Sequence, residues 1–393
     1  MEKKIIILGS YGHTNLGDDA IITSVLTAFK DIIPDAQITV FCKNFKGIEE
    51  KFGVKTINPW RWLDLLKVIK AHSKADLFIL GGGGLLQDKT SIFNLLFWCV
   101  HVILAKIFNK PVMCYAVGAG PIDSKFGKIL TRFVINKVDL LTVRDETSRS
   151  TLKELNIDRP PIHVTADPAV LLPPENMDRA VEILTDEGVE KKDKPLIAIS
   201  LFYWFHTKSF LPVKFVIGKG LWTKKEKQKF MEFKRSMAQL GDYLVEKLNA
   251  HLVFISMKKS DYDAALEVTD TMKRQKDVSV LSEKYNSAET KSILGQMDLT
   301  IGMHLHSLIL SASMGTPVFG LVYDPKITGF MRLIGQEDNT YRIENIELSE
   351  LIKKIEDVWA RRNDIQQHLR LRIKELSKQS LLNAEFVRQL LQA

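Results

Sequence analysis

The chain has 393 residues, of which 45% are hydrophobic, and this length exceeds what a single core usually supports, so two domains are expected. The 55 Lys and Arg residues against 47 Asp and Glu give a net charge of +8 that is spread along the sequence. The positive net charge suits an anionic ligand or an acidic membrane surface. No dense basic block is present, and this disfavours nucleic acid. The three cysteines lie in apolar segments without metal-ligand spacing, which predicts buried thiols rather than disulfides.

Two apolar stretches could indicate secretion or insertion into a membrane. Residues 5–9 are too short a run for a secretion signal, and residues 92–108 are interrupted by Asn94, His101 and Lys106. A membrane span needs roughly 20 mostly apolar residues. We therefore expect a cytoplasmic protein in which residues 92–108 form a buried or interfacial helix, and peripheral contact with the inner face of the membrane stays open.

Short apolar runs alternate with helical patterns through the first half of the chain. The runs predict buried strands at residues 4–8, 38–41, 77–80, 112–116, 140–143 and 163–166. Helical periodicity separates them, for example at residues 19–32 and 125–138. This alternation is typical of a parallel, doubly wound sheet.

The same alternation starts again after Pro173, Pro174 and a charged helical segment at residues 177–194. Strands are predicted at residues 196–201, 252–256, 278–281, 299–302 and 318–320, and helices at residues 225–248, 261–274, 287–297 and 304–314.

The predicted fold class is α/β, with two Rossmann-like doubly wound domains that face each other across a cleft. The domains are expected at residues 1–175 and 195–345. Amphipathic C-terminal helices at residues 346–393 are expected to pack against the first domain or to contact a partner.

The turn at residues 9–19 follows a strand and opens a helix, as phosphate-binding loops do. It lacks the Gly-x-Gly-x-x-Gly order, and no Lys-Ser or Lys-Thr follows its last glycine. Asp18 and Asp19 are expected to cap the helix and to compete with an anion for its free amides. A structural turn and an acceptor-binding turn both remain open.

Four consecutive glycines at residues 81–84 allow conformations and close approaches that other residues cannot adopt. They predict either a tight strand-to-helix crossing or a place where a sugar approaches the backbone. In the second case Gln87 and Asp88 are candidate sugar contacts. Residues 118–121 form a weaker segment of the same kind.

Four basic residues follow predicted strands. Arg144 could hold a carboxylate or phosphate through two parallel hydrogen bonds, or form a salt bridge with Asp145 or a nearby acid. His304 and His306 point about 200° apart on a helix, so they cannot chelate one metal together, and no metal site is predicted. One of them could exchange a proton with a ligand, although a structural histidine is the alternative. Lys326 adds a positive charge near the next strand, or is an ordinary surface lysine.

Seven short segments, taken in order, carry a family resemblance. They are residues 12–20, 81–88, 117–121, 143–146, 167–169, 302–308 and 323–326. Together they resemble the polysaccharide pyruvyl transferase family. The resemblance implies a GT-B-like fold and transfer of pyruvate from phosphoenolpyruvate onto sugar hydroxyls as a ketal, with no further cofactor.

The resemblance also implies roles for individual residues. Arg144 and Lys326 would hold phosphoenolpyruvate, with His304 beside it, and His306 would be the general acid. The acceptor would be a lipid-linked or nucleotide-linked sugar. Candidate acceptor contacts are Asn15, Asp18, Gly82, Gly83, Gln87, Asp88, Tyr203 and Trp204.

Two departures from the family pattern concern expected arginines. Typical members carry Arg where this chain has His304, and an Arg-Pro-Trp-like sequence where residues 200–205 read Ser-Leu-Phe-Tyr-Trp-Phe. A divergent acceptor or a changed donor would explain them. The adjoining segment, residues 202–222, is rich in aromatic and lysine residues that could stack on sugars, rest on an anionic bilayer or simply pack.

Two other functions remain open. A GT-B-type glycosyltransferase would use a nucleotide-sugar donor, and a non-catalytic family member would bind glycan without turnover. Homo-oligomerisation is also open, and no nucleic-acid partner is expected.

Overall fold

The structure is a computed structural model that describes residues 2–13, 15–43, 47–89, 91–189, 194–202 and 223–392. They form two compact units. Unit 1 contains the described residues up to Leu171 and those from Leu376 onward, and unit 2 contains those from Leu172 to Glu375. Among the helices in these ranges, none combines the length and apolar content that crossing a bilayer requires.

Unit 1 contains a parallel sheet with seven strands among the described residues. They are β1 (Lys4–Leu8), β2 (Gln37–Phe41), β3 (Lys55–Ile57), β4 (Leu77–Leu86), β5 (Val112–Ala119), β6 (Leu140–Val143) and β7 (Ile162–Val164). Their spatial order is β3-β2-β1-β4-β5-β6-β7. Residues 5–8 of β1 are all buried, as expected for a central strand that is covered on both faces.

Helices connect these strands. They are α1 (Leu16–Ile32), α2 (Ile48–Phe52), α3 (Leu65–Lys74), α4 (Ile92–Ile107), α5 (Lys125–Ile135) and α6 (Glu146–Glu154), with short 3-10 helices at Trp62–Asp64 and Pro168–Leu171. The end of the last helix, α14 (Arg362–Gln392), also belongs to unit 1. There the Asn383 side-chain oxygen accepts hydrogen bonds from the hydroxyls of Thr142 and Thr165, at 2.6 and 3.0 Å.

Unit 2 contains a second parallel sheet, with six strands in the described part of the chain. They are β8 (Leu196–Ser200), β9 (His251–Phe254), β10 (Val278–Val280), β11 (Leu299–Gly302), β12 (Val318–Val322) and β13 (Thr340–Arg342), in the order β10-β9-β8-β11-β12-β13. Its other helices are α7 (Met177–Asp186), α8 (Lys224–Leu248), α9 (Lys259–Thr269), α10 (Ser287–Leu294), α11 (Leu305–Ser313), α12 (Pro325–Leu333) and α13 (Leu348–Ala360).

The strand order of each sheet reverses once. In unit 1 the chain adds β2 on one side of β1 and β4 on the other, and in unit 2 it adds β9 on one side of β8 and β11 on the other. Open parallel sheets bind ligands at such reversals, outside the carboxyl ends of the strands. The loops that follow β1 and β4, and those that follow β8 and β11, are therefore the places to look for a site.

The prediction of two parallel α/β sheets is confirmed, with three corrections to its elements. The glycine run does not end β4, which continues to Leu86 with a register shift against β5 between Gly83 and Leu86. Strands β3 and β13 were not predicted, because each is a three-residue edge strand with a single hydrophobic residue. Helix α7 ends at Asp186, before Gly188 with a φ of +76°.

Candidate functional site

An aromatic cluster lies at the carboxyl edge of the second sheet, where its strand order reverses. Phe202 follows β8, His304 follows β11 and Tyr323 follows β12. The Phe202 ring centroid is 5.1 Å from that of His304 and 4.7 Å from that of Tyr323. Three neighbouring strand ends are thus joined by direct contact between side chains.

The two histidines occupy the start of α11. His304 is the N-cap residue, with extended backbone angles, and its carbonyl accepts a hydrogen bond from the Ser307 hydroxyl at 2.8 Å. His306 lies in the first turn and is only 8% exposed. The sequence predicted a helix that starts at residue 304, so the observed boundary places one histidine just outside the helix and the other within it.

Two ammonium groups border the aromatic cluster. Lys326 Nζ lies 5.3 Å from the Tyr323 ring centroid, and Lys258 Nζ lies 4.9 Å from that of Phe202. Asp324 caps α12, since its carboxylate accepts a hydrogen bond from the Lys326 amide at 3.2 Å. The cations are attracted to the ring faces, and together they make this edge of the sheet attractive to an anion.

Asp261 is a component of this edge that the sequence did not single out. It is 1% exposed, and its Oδ2 lies 3.0 Å from His304 Nε2. The same oxygen accepts hydrogen bonds from the amides of Met257 and Lys258, both at 3.2 Å. Asp261 therefore joins the loop after β9 to the histidine after β11. At the start of α9 its carboxylate also satisfies the amide of the N-cap residue Lys258, a local role that an acid in the first helical turn commonly has.

In unit 1, Arg144 directly follows β6 and is 6% exposed. Its Nη1 lies 3.0 Å from Asp167 Oδ2, and its Nε lies 3.5 Å from Asp145 Oδ2. The guanidinium crosses Gly118 so closely that a Cβ there would stand 2.8 Å from Nη2. The ion pair that the sequence left open is present, and Gly118 provides the space for it.

The N-terminus of α1 is organised by Asn15 rather than by the two aspartates. Asn15 Oδ1 accepts a hydrogen bond from the Gly17 amide at 3.1 Å, so the prediction that Asp18 and Asp19 cap the helix is wrong. Asn15 Nδ2 donates to Asp18 Oδ2 at 2.9 Å, and the Gly12 amide donates to Asp19 Oδ1 at 3.3 Å.

Both aspartates are half-buried acids. Burial, together with the nearby charge of Asp19, raises the pKa of Asp18 to about 7. Burial also raises the pKa of Asp19 to about 6. These carboxyl groups can therefore take up a proton near neutral pH, where ordinary aspartates cannot.

The glycine run brings Arg144 and Asp18 to adjacent positions along β4. A Cβ on Gly83 would lie 3.5 Å from Asp18 Oδ1, and one on Gly84 would lie 3.9 Å from Arg144 Nη2. A Cβ on Gly82 would stand 2.2 Å from a methyl carbon of Ile21. Gly82 is thus needed for the close packing of β4 against α1.

The structure shows the surroundings of two further residues that were predicted to contact the acceptor. Asp88 accepts hydrogen bonds from the amides of Asp123 and Ser124, at 2.8 and 2.9 Å, and so organises the loop before α5. Gln87 follows β4 and is half-buried. Tyr203 and Trp204 lie outside the described residues.

The chain is similar to known proteins in both sequence and fold. A family model described as polysaccharide pyruvyl transferase matches residues 15–325. The amylovoran biosynthesis protein AmsJ of Erwinia amylovora is 23% identical over 269 residues, which are 68% of this chain. The match spans 63% of the length of AmsJ.

Two solved structures share the fold. A glycosyltransferase from Rickettsia africae ESF-5 superposes with a TM-score of 0.65 at 13% identity, over 99% of both chains. A putative UDP-N-acetylglucosamine 2-epimerase from Listeria monocytogenes gives a TM-score of 0.62 at 13% identity, over 98% of this chain and 95% of that one. These similarities confirm the GT-B-like fold class, and at such identities they show the fold alone.

Proposed function

Because the chain belongs to the polysaccharide pyruvyl transferase family, we propose that it transfers pyruvate from phosphoenolpyruvate onto two hydroxyls of a sugar as a ketal. The matched region contains Arg144, His304 and His306, and Lys326 lies one residue beyond its end. The relative AmsJ is named for amylovoran biosynthesis, which supports a role in the assembly of a bacterial surface glycan.

The observation that carries the proposal is the chemistry at the carboxyl edge of the second sheet. His306 lies in the first turn of α11 and Lys326 in the first turn of α12, and the strands that precede these helices pair side by side, with Gly302 opposite Gly320. An imidazole and an ammonium group at neighbouring helix starts suit a substrate that carries a phosphate and a carboxylate and must gain a proton.

We assign His306 as the general acid. Its imidazolium gives a proton to the methylene carbon of phosphoenolpyruvate, which becomes a methyl group and leaves an oxocarbenium-like centre at the neighbouring carbon. One sugar hydroxyl adds to that centre and loses its proton, which restores the imidazolium. The bond between this carbon and the phosphate oxygen then breaks, phosphate departs, and a second hydroxyl closes the ketal and gives its proton to phosphate.

We assign Lys326 and His304 to the anionic groups of the donor. A charge-assisted hydrogen bond from an ammonium group to phosphate or carboxylate is about twice as strong as a neutral one. The Lys258 ammonium adds to the same positive edge, since it lies on the ring that contacts His304. Arg144 is assigned to donor binding as well, and its variants test that assignment independently of unit 2.

The acceptor contacts remain those proposed from the sequence, in the loops after β1 and β4 and in the segment that starts at Tyr203. Among them, Asp18 has a property that suits an acceptor. A carboxyl group whose pKa is raised to about 7 can accept the proton of a sugar hydroxyl at neutral pH. The acceptor itself is proposed to be a lipid-linked or nucleotide-linked sugar.

The test is direct detection of the product. The protein is incubated with phosphoenolpyruvate and a panel of nucleotide-linked and lipid-linked sugars, and mass spectrometry detects a sugar that carries a pyruvate ketal. Inorganic phosphate should be released in equal amount. Saturable donor binding without phosphate release on any sugar of the panel would instead indicate a non-catalytic glycan-binding protein.

A nucleotide-sugar donor is the competing enzymatic function, and its support is the fold likeness to the Rickettsia glycosyltransferase. Calorimetry with uridine and guanosine diphosphates separates the two. Tight diphosphate binding, together with sugar transfer and no use of phosphoenolpyruvate, would contradict the pyruvyl transfer proposed here.

A further inference from the structure

Helices α3, α4 and α5 lie side by side on one face of the first sheet, with α4 in the middle. Their inner sides share one buried apolar cluster, to which α3 contributes Val68, α4 contributes Trp98 and Val102, and α5 contributes Val134. Trp60, just before the 3-10 helix Trp62–Asp64, stacks on Phe97 of α4 with ring centroids 5.0 Å apart. The three helices and the 3-10 helix therefore form one continuous layer.

The outer side of this layer is also apolar, which is unusual for a surface that only meets water. Six large side chains on it are between 50% and 82% exposed: Trp62, Leu66, Val100, Phe126, Ile129 and Phe133. We call these six residues the α3–α5 face. In α5 the spacing of three and four residues aligns Phe126, Ile129 and Phe133 along one stripe.

The charges around the α3–α5 face have one sign. The three helices contain no Asp or Glu, and they carry seven Lys or Arg residues, three in α3, one in α4 and three in α5. Two of these pair with acids outside the helices, Lys67 with Asp64 and Lys106 with Asp139. Lys125, Lys128 and Arg132 of α5 are exposed beside the apolar stripe.

We propose that the α3–α5 face docks on a bilayer that contains anionic phospholipid. Exposed aromatic and aliphatic side chains bordered by Lys and Arg are what an interfacial helix presents to the boundary between headgroups and acyl chains. Each basic residue near an anionic surface adds to the attraction, and the aromatic rings enter the boundary itself.

Charge decides between a bilayer and a second copy of the chain. A symmetric dimer through this face would bring the basic residues of two α5 helices together, and like charges at an interface oppose association. An anionic bilayer compensates those charges while it covers the apolar side chains. This inference does not rest on the proposed reaction, because it concerns the helical layer on the side of the sheet and uses none of the proposed site residues.

The experiment is vesicle flotation with the full chain. Vesicles of phosphatidylcholine are compared with vesicles that contain about one-third phosphatidylglycerol, an anionic lipid. The protein should float with the anionic vesicles and stay behind with the neutral ones. Raising the salt from about 0.1 to about 0.5 M should weaken the binding, because it screens the basic residues.

Variants locate the contact. Phe126→Ser with Phe133→Ser should weaken binding to the anionic vesicles at least about tenfold, since two large apolar side chains are removed. Lys128→Glu with Arg132→Glu should do the same by reversing two charges. The matched control is Leu371→Ser, which replaces an apolar residue that is 72% exposed on α14 in unit 2, and it should leave binding unchanged.

Three results would overturn the proposal: no flotation of the wild-type protein, equal binding to neutral and anionic vesicles, or equal loss with Leu371→Ser. Sedimentation equilibrium could give a fourth result that overturns the proposal. A dimer that the Phe126 and Phe133 substitutions dissociate, with no vesicle binding, assigns the face to a second copy. Leu66→Ser, on α3, provides an independent variant if the α5 double substitution lowers the thermal unfolding temperature.

Discussion

The two sheets reverse their strand order in the same way, yet the side chains at the two reversals have opposite chemistry. In unit 1 the edge carries Asp18 and Asp19, and Arg144 is paired there with Asp167. In unit 2 the edge carries two histidines, with Lys258 and Lys326 lying on aromatic rings. The topology determines where a ligand can approach, and the residue types determine which ligand it is.

Burial explains why the two edges behave differently. In unit 1 the Arg144 guanidinium pairs with Asp145 and Asp167, and burial raises the pKa values of the nearby Asp18 and Asp19. In unit 2 the buried acid Asp261 accepts backbone amide hydrogen bonds and contacts His304, while Lys258 and Lys326 lie on aromatic rings. An anionic donor that must be protonated therefore suits unit 2 better.

The largest expected effect is on proton transfer at the edge of the second sheet. His306→Ala should lower kcat for ketal formation about a thousandfold, within the range for loss of a general acid. The readout is phosphate release, with the ketal measured by mass spectrometry. Wild-type turnover in a folded His306→Ala protein would exclude the proposed role.

His304→Ala is the matched comparison for that experiment. It removes the ring next to Asp261 but not the proposed acid, so it should raise KM for phosphoenolpyruvate more than it lowers kcat. If the two variants instead gave the same split between kcat and KM, the separate roles of the two histidines would be wrong.

The second prediction concerns the buried ion pair of unit 1. Arg144→Met removes the cation that lies 3.0 Å from Asp167, and leaving a buried charge without its ion-pair partner costs about 3–5 kcal/mol of unfolding free energy. Urea denaturation measures the loss. Adding Asp167→Leu should restore part of it, because the double variant buries neither charge. A single variant as stable as the wild type would show that the ion pair with Asp167 does not stabilise the fold.

The sequence predicted the central strands well because buried strands of a parallel sheet consist of continuous apolar runs. The bounds of β1, β6 and β11 match the predictions, whereas the edge strands β3 and β13 each contain only one hydrophobic residue and give no such signal. The candidate site residues adjacent to strand ends, such as Arg144 and His306, were singled out for the same reason.

Partners distant in the sequence could not be predicted. Asp261 contacts a histidine 43 positions later, and nothing local in its segment distinguishes it from a capping residue. The sequence left open whether α4 is a buried or an interfacial helix, because an apolar helix looks the same in sequence whether one face or both faces are buried. Only packing shows that Val100 points away from the cluster that holds Val102.

The third prediction concerns donor affinity. Lys326→Met keeps the length of the side chain and removes its charge, so KM for phosphoenolpyruvate should rise about 10- to 100-fold with a smaller change in kcat. Lys326→Arg should recover much of the affinity. The control is Lys353→Met, on α13 in the same unit and away from both edges compared here. An equal rise in KM for the control would show that the effect is not local.

The smallest expected effect is a pH dependence of stability that belongs to unit 1. The folded-state pKa of Asp18 is about 7, whereas its ordinary value is 3.8, so the folded chain holds a proton that the unfolded chain has already lost. The stability from this group is fully present below about pH 4 and is lost as the pH rises through 7. Asp18→Asn removes the titration while keeping the shape of the side chain.

Relative to the wild type, Asp18→Asn should therefore gain about 2–3 kcal/mol of unfolding free energy between pH 5 and pH 8. Burial lowers the pKa values of His72 and His101 to about 3 and about 4, and these groups destabilise the fold as the pH falls. Their contribution is common to both proteins, so it cancels in the difference between them. Urea denaturation at the two pH values gives that difference. If the difference in unfolding free energy between wild type and variant were the same at both pH values, Asp18 would be ionised in the folded state throughout this range. The acidic edge of unit 1 would then carry a full charge next to Arg144.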